Sequence, residues 1–194
     1  MRENEAIWQA RDGVELFVRS WLPDSEPKAA IALIHGLGEH SGRYQHVAAH
    51  FTQAGYLVQS FDLRGHGRTP GSRGHARSMD KILQDIDLLL AEISQAYPGV
   101  PRFLYGHSLG GILVLGYALR FKTDICGVIA TSPGLSTALH EQKSKIMLAR
   151  VLGSFFPSLS LKTGLDANMI SRDSKIVEAY LADPHAFRSL WGPA

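Results

Sequence analysis

The sequence has one cysteine, almost no net charge and no long apolar run, and each shortage closes off a class of protein. A single cysteine, Cys126, excludes an intramolecular disulfide framework, and its place in "ICGVIA" predicts an inert buried thiol. No stretch approaches the roughly 18 consecutive apolar residues of a membrane-spanning helix. The opening "MRENEAIWQARDG" alternates charged and apolar residues where a secretory signal needs an unbroken apolar core, so a cytoplasmic protein is expected. Twenty Lys and Arg against 18 Asp and Glu leave a formal charge of +2, too small an excess to predict nucleic acid as a partner. Repeats, low-complexity tracts and charge blocks are also missing, so the 194 residues read as one succession of elements. With 45% hydrophobic residues the chain can bury a sizeable core.

What is present is ordered. "AIWQA" and "ELFVRSWL" flank Asp12-Gly13, the signal of an antiparallel hairpin. "AAIALIHG", from Ala29 to Gly36, is continuously apolar, as a central parallel strand buried on both faces must be. Tyr44, Val47, Ala48 and Phe51 then recur at helical spacing up to a closing Gly55, and "YLVQSFD" returns as a strand. From Ser78 to Tyr97 an apolar stripe of Ile82, Ile86, Leu89, Leu90 and Ile93 predicts a long amphipathic helix with Ser78 as its N-cap. "RFLYG", "LGGILVLGYALRF" and "ICGVIATSP" continue as strand, buried helix and strand. Such alternation predicts a mostly parallel α/β sheet flanked by helices and joined by right-handed crossovers, forming a core over residues 1–132. Residues 133–194 read as helical segments alone, a cap or lid with a C-terminal tail. Within that part "VLGSFFPSLSL", Val151 to Leu161, carries no charge. It either docks the segment onto the sheet or forms an apolar lid that contacts lipid surfaces transiently.

The chemistry centres on "GHSLGGI", Gly106 to Ile112. Gly-x-Ser-x-Gly is a weak signal alone, but here a strand precedes it, a helix follows it, and the sheet around it is parallel. A strand-to-helix turn this tight leaves no room for side chains at Gly106 and Gly110, and it exposes the hydroxyl of Ser108 in a strained conformation. Ser108 is therefore the candidate nucleophile, the alternative being a serine that merely N-caps the helix. "HGLGEHSGRY", His35 to Tyr44, leaves the central strand as a glycine-bearing loop whose first backbone N–H after His-Gly can face a substrate carbonyl oxygen. The oxyanion hole is accordingly assigned to the backbone N–H groups of Leu37 and Leu109. His35 reads as a buttress of its loop, His40 as ordering the loop or touching substrate, and His107 as poorly aimed for a base.

"HGLGEHSGRY", "FDLRGHGRTPGSRG" and "GHSLGGIL", in that order and spacing, closely resemble the monoacylglycerol lipase and lysophospholipase branch of the α/β-hydrolase superfamily. "GLDANMISRD" resembles part of that branch's cap, so the resemblance runs from about Ile7 to Asp183. It implies the α/β-hydrolase fold with an apolar cap and cofactor-free hydrolysis of a small fatty-acyl ester lipid. It also implies Ser108 as nucleophile and Leu37 and Leu109 as oxyanion donors. Asp62, Arg64 and His66 of "DLRGHG" are expected to shape their loop. No metal or nucleotide is implied.

One departure matters. The fold takes its acid and its histidine from loops after later strands. Two further strand-helix units need about 60 residues, but only "LADPHAFRSLWGPA" follows the expected cap. The C-terminal strands, with the triad Asp and His, are thus expected to be missing. Asp166, Asp173 and Asp183 with His140 or His185 lie in or beside the cap, where no strand aims them at Ser108. The strand at "CGVIATS" is left as an edge, which predicts self-association. The expectations are therefore an esterase acting through Ser108, or a catalytically impaired acyl-lipid binding module. A dehalogenase is disfavoured because it needs an aspartate where Ser108 stands, and a haloperoxidase because it needs the same missing triad.

Overall fold

The computed structural model describes residues 1–76, 78–121, 124–135, 161–162, 167–187 and 189–190. A hairpin opens the chain: β1 (Arg2–Gln9) pairs antiparallel with β2 (Glu15–Leu22) across a turn in which Gly13 has φ +83°. β1 begins well before "AIWQA" because its polar half is held from the side. Arg19 on β2 forms ion pairs with both Glu3 and Glu5.

β3 (Ala29–Ile34) is buried at all six positions. Its alternate side chains enter two cores on opposite faces of the sheet. Ile31 and Leu33 join Trp21, Tyr44, Ala48 and Val58 beneath α1 (Gln45–Gln53). Ala30, Ala32 and Ile34 join Ile86, Leu89, Ile93, Leu113 and Tyr117 from α2 (Met79–Ala96) and α3 (Leu109–Arg120). Ser78 caps α2 by accepting from Lys81 N–H at 3.3 Å, as its sequence position predicts. Burying each large apolar side chain contributes roughly 1.5–3 kcal/mol, so these two layers, more than helix propensity, fix where the helices lie.

The remaining strands are β4 (Tyr56–Phe61), β5 (Arg102–His107) and β6 (Gly127–Thr131). The sheet runs in the order β1-β2-β4-β3-β5-β6, with β4, β3, β5 and β6 mutually parallel. From β3 the chain steps outward to β4, then returns over α2 to β5 on the other side of β3. A reversal of this kind opens a crevice beyond the carboxyl ends of β3 and β5.

Two expectations are corrected. Cys126 is exposed, not buried, because it precedes β6 at the sheet edge, where its N–H donates to Arg102 O at 2.7 Å and its side chain faces outward. Residues 133–194 are not helical alone. Besides a 3₁₀ turn (Ala167–Met169) and α4 (Ser174–Ala182), β7 (Leu161–Lys162) pairs antiparallel with β8 (Ser189–Leu190). A two-residue ladder carries too few alternating positions for a period-2 signal to show. The apolar stretch read as a lid, Val151 to Leu161, lies outside the described residues except for the Leu161 backbone. Among the described residues no helix is long and apolar enough to cross a membrane.

Candidate active site

β5 ends at His107 and α3 begins at Leu109, which leaves Ser108 alone to turn the chain. Its backbone pays in strain, with φ +52° and ψ −113°, a conformation that costs a non-glycine residue roughly 1–3 kcal/mol. Neighbours enforce it. Ser108 N–H donates to Thr131 O at 2.9 Å, tying the turn to the end of β6. A Cβ on Gly106 would stand 2.2 Å from Gly110 O, and one on Gly110 would stand 2.1 Å from Ile34 O. The hydroxyl makes no capping hydrogen bond to α3, so helix capping does not account for this serine.

The loop after β3 comes against the same turn: a Cβ on Gly36 would lie 3.3 Å from the Cβ of Ser108. Leu63 N–H donates to His35 Nε2 at 2.9 Å, so the ring proton sits on Nδ1, from which it donates to Gly36 O at 2.7 Å. Burial holds the His35 imidazole below its ordinary pKa, which keeps it neutral in this role. Glu39 Oε1 accepts from Gly36 N–H at 2.5 Å and from the Tyr44 hydroxyl at 2.6 Å. Burial and that carboxylate push the phenol up, so Tyr44 stays a donor. His40 orders the loop as well. Its Nδ1 accepts from Gly42 N–H at 3.2 Å, and its Nε2 donates to Asp183 Oδ2 at 2.8 Å.

"DLRGHG" backs this loop from behind. Asp62 accepts from Ser41 N–H at 2.8 Å and Ser41 Oγ at 2.6 Å, and its other oxygen accepts from Arg68 N–H at 2.8 Å. Arg64 donates twice to Asp85 and twice to Asp12, at 2.6–2.9 Å. The Arg64 bond draws the Asp12 carboxyl down to about 2. His66 donates from Nδ1 to Arg64 O at 3.0 Å, and its buried Nε2 has no partner among the described residues.

His66 makes acid stability measurable. Burial lowers its pKa to about 3 from 6.5, so between those values the unfolded chain binds a proton that the folded chain refuses. Stability therefore falls as pH falls through this window, by about 2 kcal/mol between pH 6.5 and pH 5 for this group alone. Urea unfolding of the parent and of His66→Phe at both pH values checks it. The variant should lose that much less on acidification, and equal losses would refute the assignment.

A cavity of about 710 Å³ opens at the carboxyl ends of β3 and β5, lined among others by Gly36, Leu37, Glu39, Tyr105, His107 and Ser108. Met169 and Ile170, with Ile176 and Tyr180 of α4, line it as well. Ser108 and Leu37 thus share one cavity, with Leu109 at the first position of α3 beside them. The acid and base candidates do not converge. Asp173 caps α4 through Lys175 N–H at 2.9 Å, Asp183 holds His40, and His107 Nδ1 shares a hydrogen bond with Thr131 Oγ1 at 2.9 Å. His185 stacks edgewise near His40, with ring centroids 5.6 Å apart. His140 and Asp166 lie outside the described residues. Among the described residues no hydrogen bond reaches Ser108 Oγ. Sequence reading missed Glu39, although an acid three residues after Gly36 in a glycine-bearing loop was the available signal.

Comparison with known proteins agrees with this architecture. Over residues 25–190 the chain matches the family described as serine aminopeptidase, S33. A monoacylglycerol lipase of Mycolicibacterium smegmatis is 37% identical over 174 residues, covering 89% of this chain and 61% of that protein. Human monoglyceride lipase is 36% identical over 175 residues, covering 89% of this chain and 57% of that protein. The chain therefore spans about three fifths of the length of these relatives. The crystal structure of Paleococcus ferrophilus monoacylglycerol lipase superposes with a TM-score of 0.80 at 38% identity, over 91% of this chain and 66% of that one. With its sheet order, its strained serine turn and this match, the chain belongs to the serine aminopeptidase S33 family and has the α/β-hydrolase fold.

Proposed function

We propose that the chain carries the acyl-transfer site of a serine lipase that cleaves fatty-acyl esters of the monoacylglycerol or lysophospholipid type. The observation that carries this reading is the strained Ser108 facing, across one cavity, the glycine-bearing loop of Gly36 and Leu37. In the first step Ser108 Oγ bonds to the ester carbonyl carbon while its proton leaves to a base. The carbonyl oxygen becomes an oxyanion that accepts from Leu37 and Leu109 N–H, with the positive end of α3 behind it. Collapse breaks the bond to the alcohol oxygen, which departs with a proton. Water then cleaves the acyl-serine, releasing the fatty acid and restoring Ser108. Met169, Ile170 and Ile176 are both exposed and cavity-lining, which suits an acyl chain entering from a lipid surface under the cap.

A second reading, an acyl-lipid binding module, draws on a specific observation: no described histidine or carboxylate is hydrogen-bonded to Ser108 Oγ. Without a base, such a site retains roughly 10³–10⁴-fold acceleration over water. A fluorophosphonate probe distinguishes the readings. The 194-residue chain should label slowly and at Ser108 alone, as mapped by mass spectrometry, with negligible turnover of a short p-nitrophenyl ester. Excess monoacylglycerol should protect against labelling. Label appearing elsewhere, or surviving Ser108→Ala, would remove the serine reading. Turnover beyond about 10⁴-fold over water and lost in Ser108→Ala would mean that a base is present after all.

A further inference from the structure

Gly36 is held in an unusual way: among the described residues, neither of its backbone polar groups is bonded to another backbone group. Its N–H donates to Glu39 Oε1 at 2.5 Å, and its carbonyl accepts from His35 Nδ1 at 2.7 Å. Among the described residues no peptide bond is cis, so the Gly36 carbonyl and the Leu37 N–H lie in one plane and point in opposite directions. Whatever holds the first aims the second. His35 is fully buried and pulls the carbonyl inward, towards the loop after β4, where Leu63 N–H fixes the ring's tautomer. The Leu37 N–H is left facing outward, on the residue that lines the cavity with Ser108. Glu39 fixes the preceding peptide, and is itself anchored to the core through the Tyr44 hydroxyl at 2.6 Å. A side chain on Gly36 would collide with Glu39 Oε1 at 2.6 Å, so the glycine and the glutamate belong to one arrangement.

We propose that His35 and Glu39 are positioning residues which clamp Gly36 from both sides and so aim the Leu37 N–H at the oxyanion formed on Ser108. The inference rests on the assignment of Ser108 and Leu37 made above. It gives Glu39 a task in the transition state rather than in holding the bound lipid. A misaimed donor weakens oxyanion stabilisation and leaves ground-state binding alone.

The test compares two quantities on the full chain: the second-order rate of fluorophosphonate labelling, and the Kd of a non-hydrolysable monoacylglycerol ether. Glu39→Ala should slow labelling by about 10–100-fold, somewhat less than outright loss of an oxyanion donor, while the Kd stays within about threefold. Glu39→Gln keeps an acceptor oxygen for both donors and should recover labelling to within about fivefold of the parent. For His35, Asn can place an N–H near the Nδ1 position and Gln cannot, so His35→Asn should label at least about tenfold faster than His35→Gln. Should Glu39→Ala melt below the assay temperature, Glu39→Gln and the His35 pair still decide.

Labelling of Glu39→Ala at the parent rate would overturn the proposal. So would labelling and ether binding falling in proportion, since Glu39 would then be a substrate contact, and so would equal rates for His35→Asn and His35→Gln. Ser108→Ala separates the two levels. Label that persists in it defeats the serine reading, whereas label lost in it but insensitive to the clamp variants defeats only this inference.

Discussion

Alanine at position 110 is expected to destabilise the chain by about 3 kcal/mol and to slow fluorophosphonate labelling of Ser108 by about 100-fold. The methyl group would sit 2.1 Å from Ile34 O and 2.7 Å from His35 O, both backbone atoms at the end of β3. Neither can yield, because β3 is the most deeply buried strand and His35 O begins the loop that aims Leu37. Relief can come only by moving the start of α3 away from β3, which opens the serine turn and displaces the Leu109 N–H. Gly116, further along the same helix, is the control. Nothing lies within 4 Å of a Cβ there, so Gly116→Ala should gain up to about 1 kcal/mol from propensity and leave labelling unchanged. Urea midpoints and labelling rates measured on both variants check the contrast. A Gly110→Ala protein as stable and as reactive as Gly116→Ala would mean that the helix and the central strand are not in the contact described.

That contrast also shows which part of the architecture was legible in the sequence. Gly110 and Gly116 are the same letter on one helix, and only the motif around Ser108 separated them. The parallel core could be read because its strands are apolar on both faces, as in "AAIALI", and because α2 keeps a strict stripe through Ile86, Leu89 and Ile93. The start of β1 was not legible. "RENE" pairs through cross-strand charges with Arg19, and such partners carry no local period. Cys126 was misjudged because a run of apolar letters reports a strand but not whether a neighbour covers its edge.

In the site, the backbone geometry was legible and the hydrogen-bond wiring was not. Gly-x-Ser-x-Gly and His-Gly-x-Gly follow from steric demands that only glycine meets, so the letters carry the shape. Glu39 and His35 act through distances of 2.5–2.7 Å to the backbone of Gly36, and no spacing rule announces them. Asp183 was considered as an acid from its residue type, whereas the structure spends it on His40 and on capping the His185 N–H at 2.9 Å.

The other large effect lies behind the site. Arg64→Ala is expected to destabilise the chain by about 3–5 kcal/mol, because it strands a carboxylate that only a cation makes tolerable. Asp85 is 2% exposed and receives two bonds from Arg64, at 2.6 and 2.8 Å. Burial already pushes its carboxyl up, and Arg64, with a smaller pull from Lys81, opposes the push. Asp12, at 24% side-chain exposure, can turn to water when the arginine is lost, whereas Asp85 cannot. Without Arg64, the folded chain holds a proton on Asp85 at pH values where the unfolded chain has released it. The variant's deficit against the parent should therefore narrow as pH falls from 8 towards 5, the loss through His66 being common to both. Replacing both partners, as Arg64→Met with Asp85→Leu, should recover most of the loss, since two apolar groups of similar size leave no charge behind. Labelling should fall in Arg64→Ala as well, because Leu63 N–H, which sets the His35 tautomer, is carried by the same loop. Urea unfolding of the parent, Arg64→Ala and the double variant at pH 8 and pH 5 decides it. A deficit that is the same at both pH values, or a double variant no better than the single, would show that the arginine acts through packing of its stem and not by neutralising Asp85.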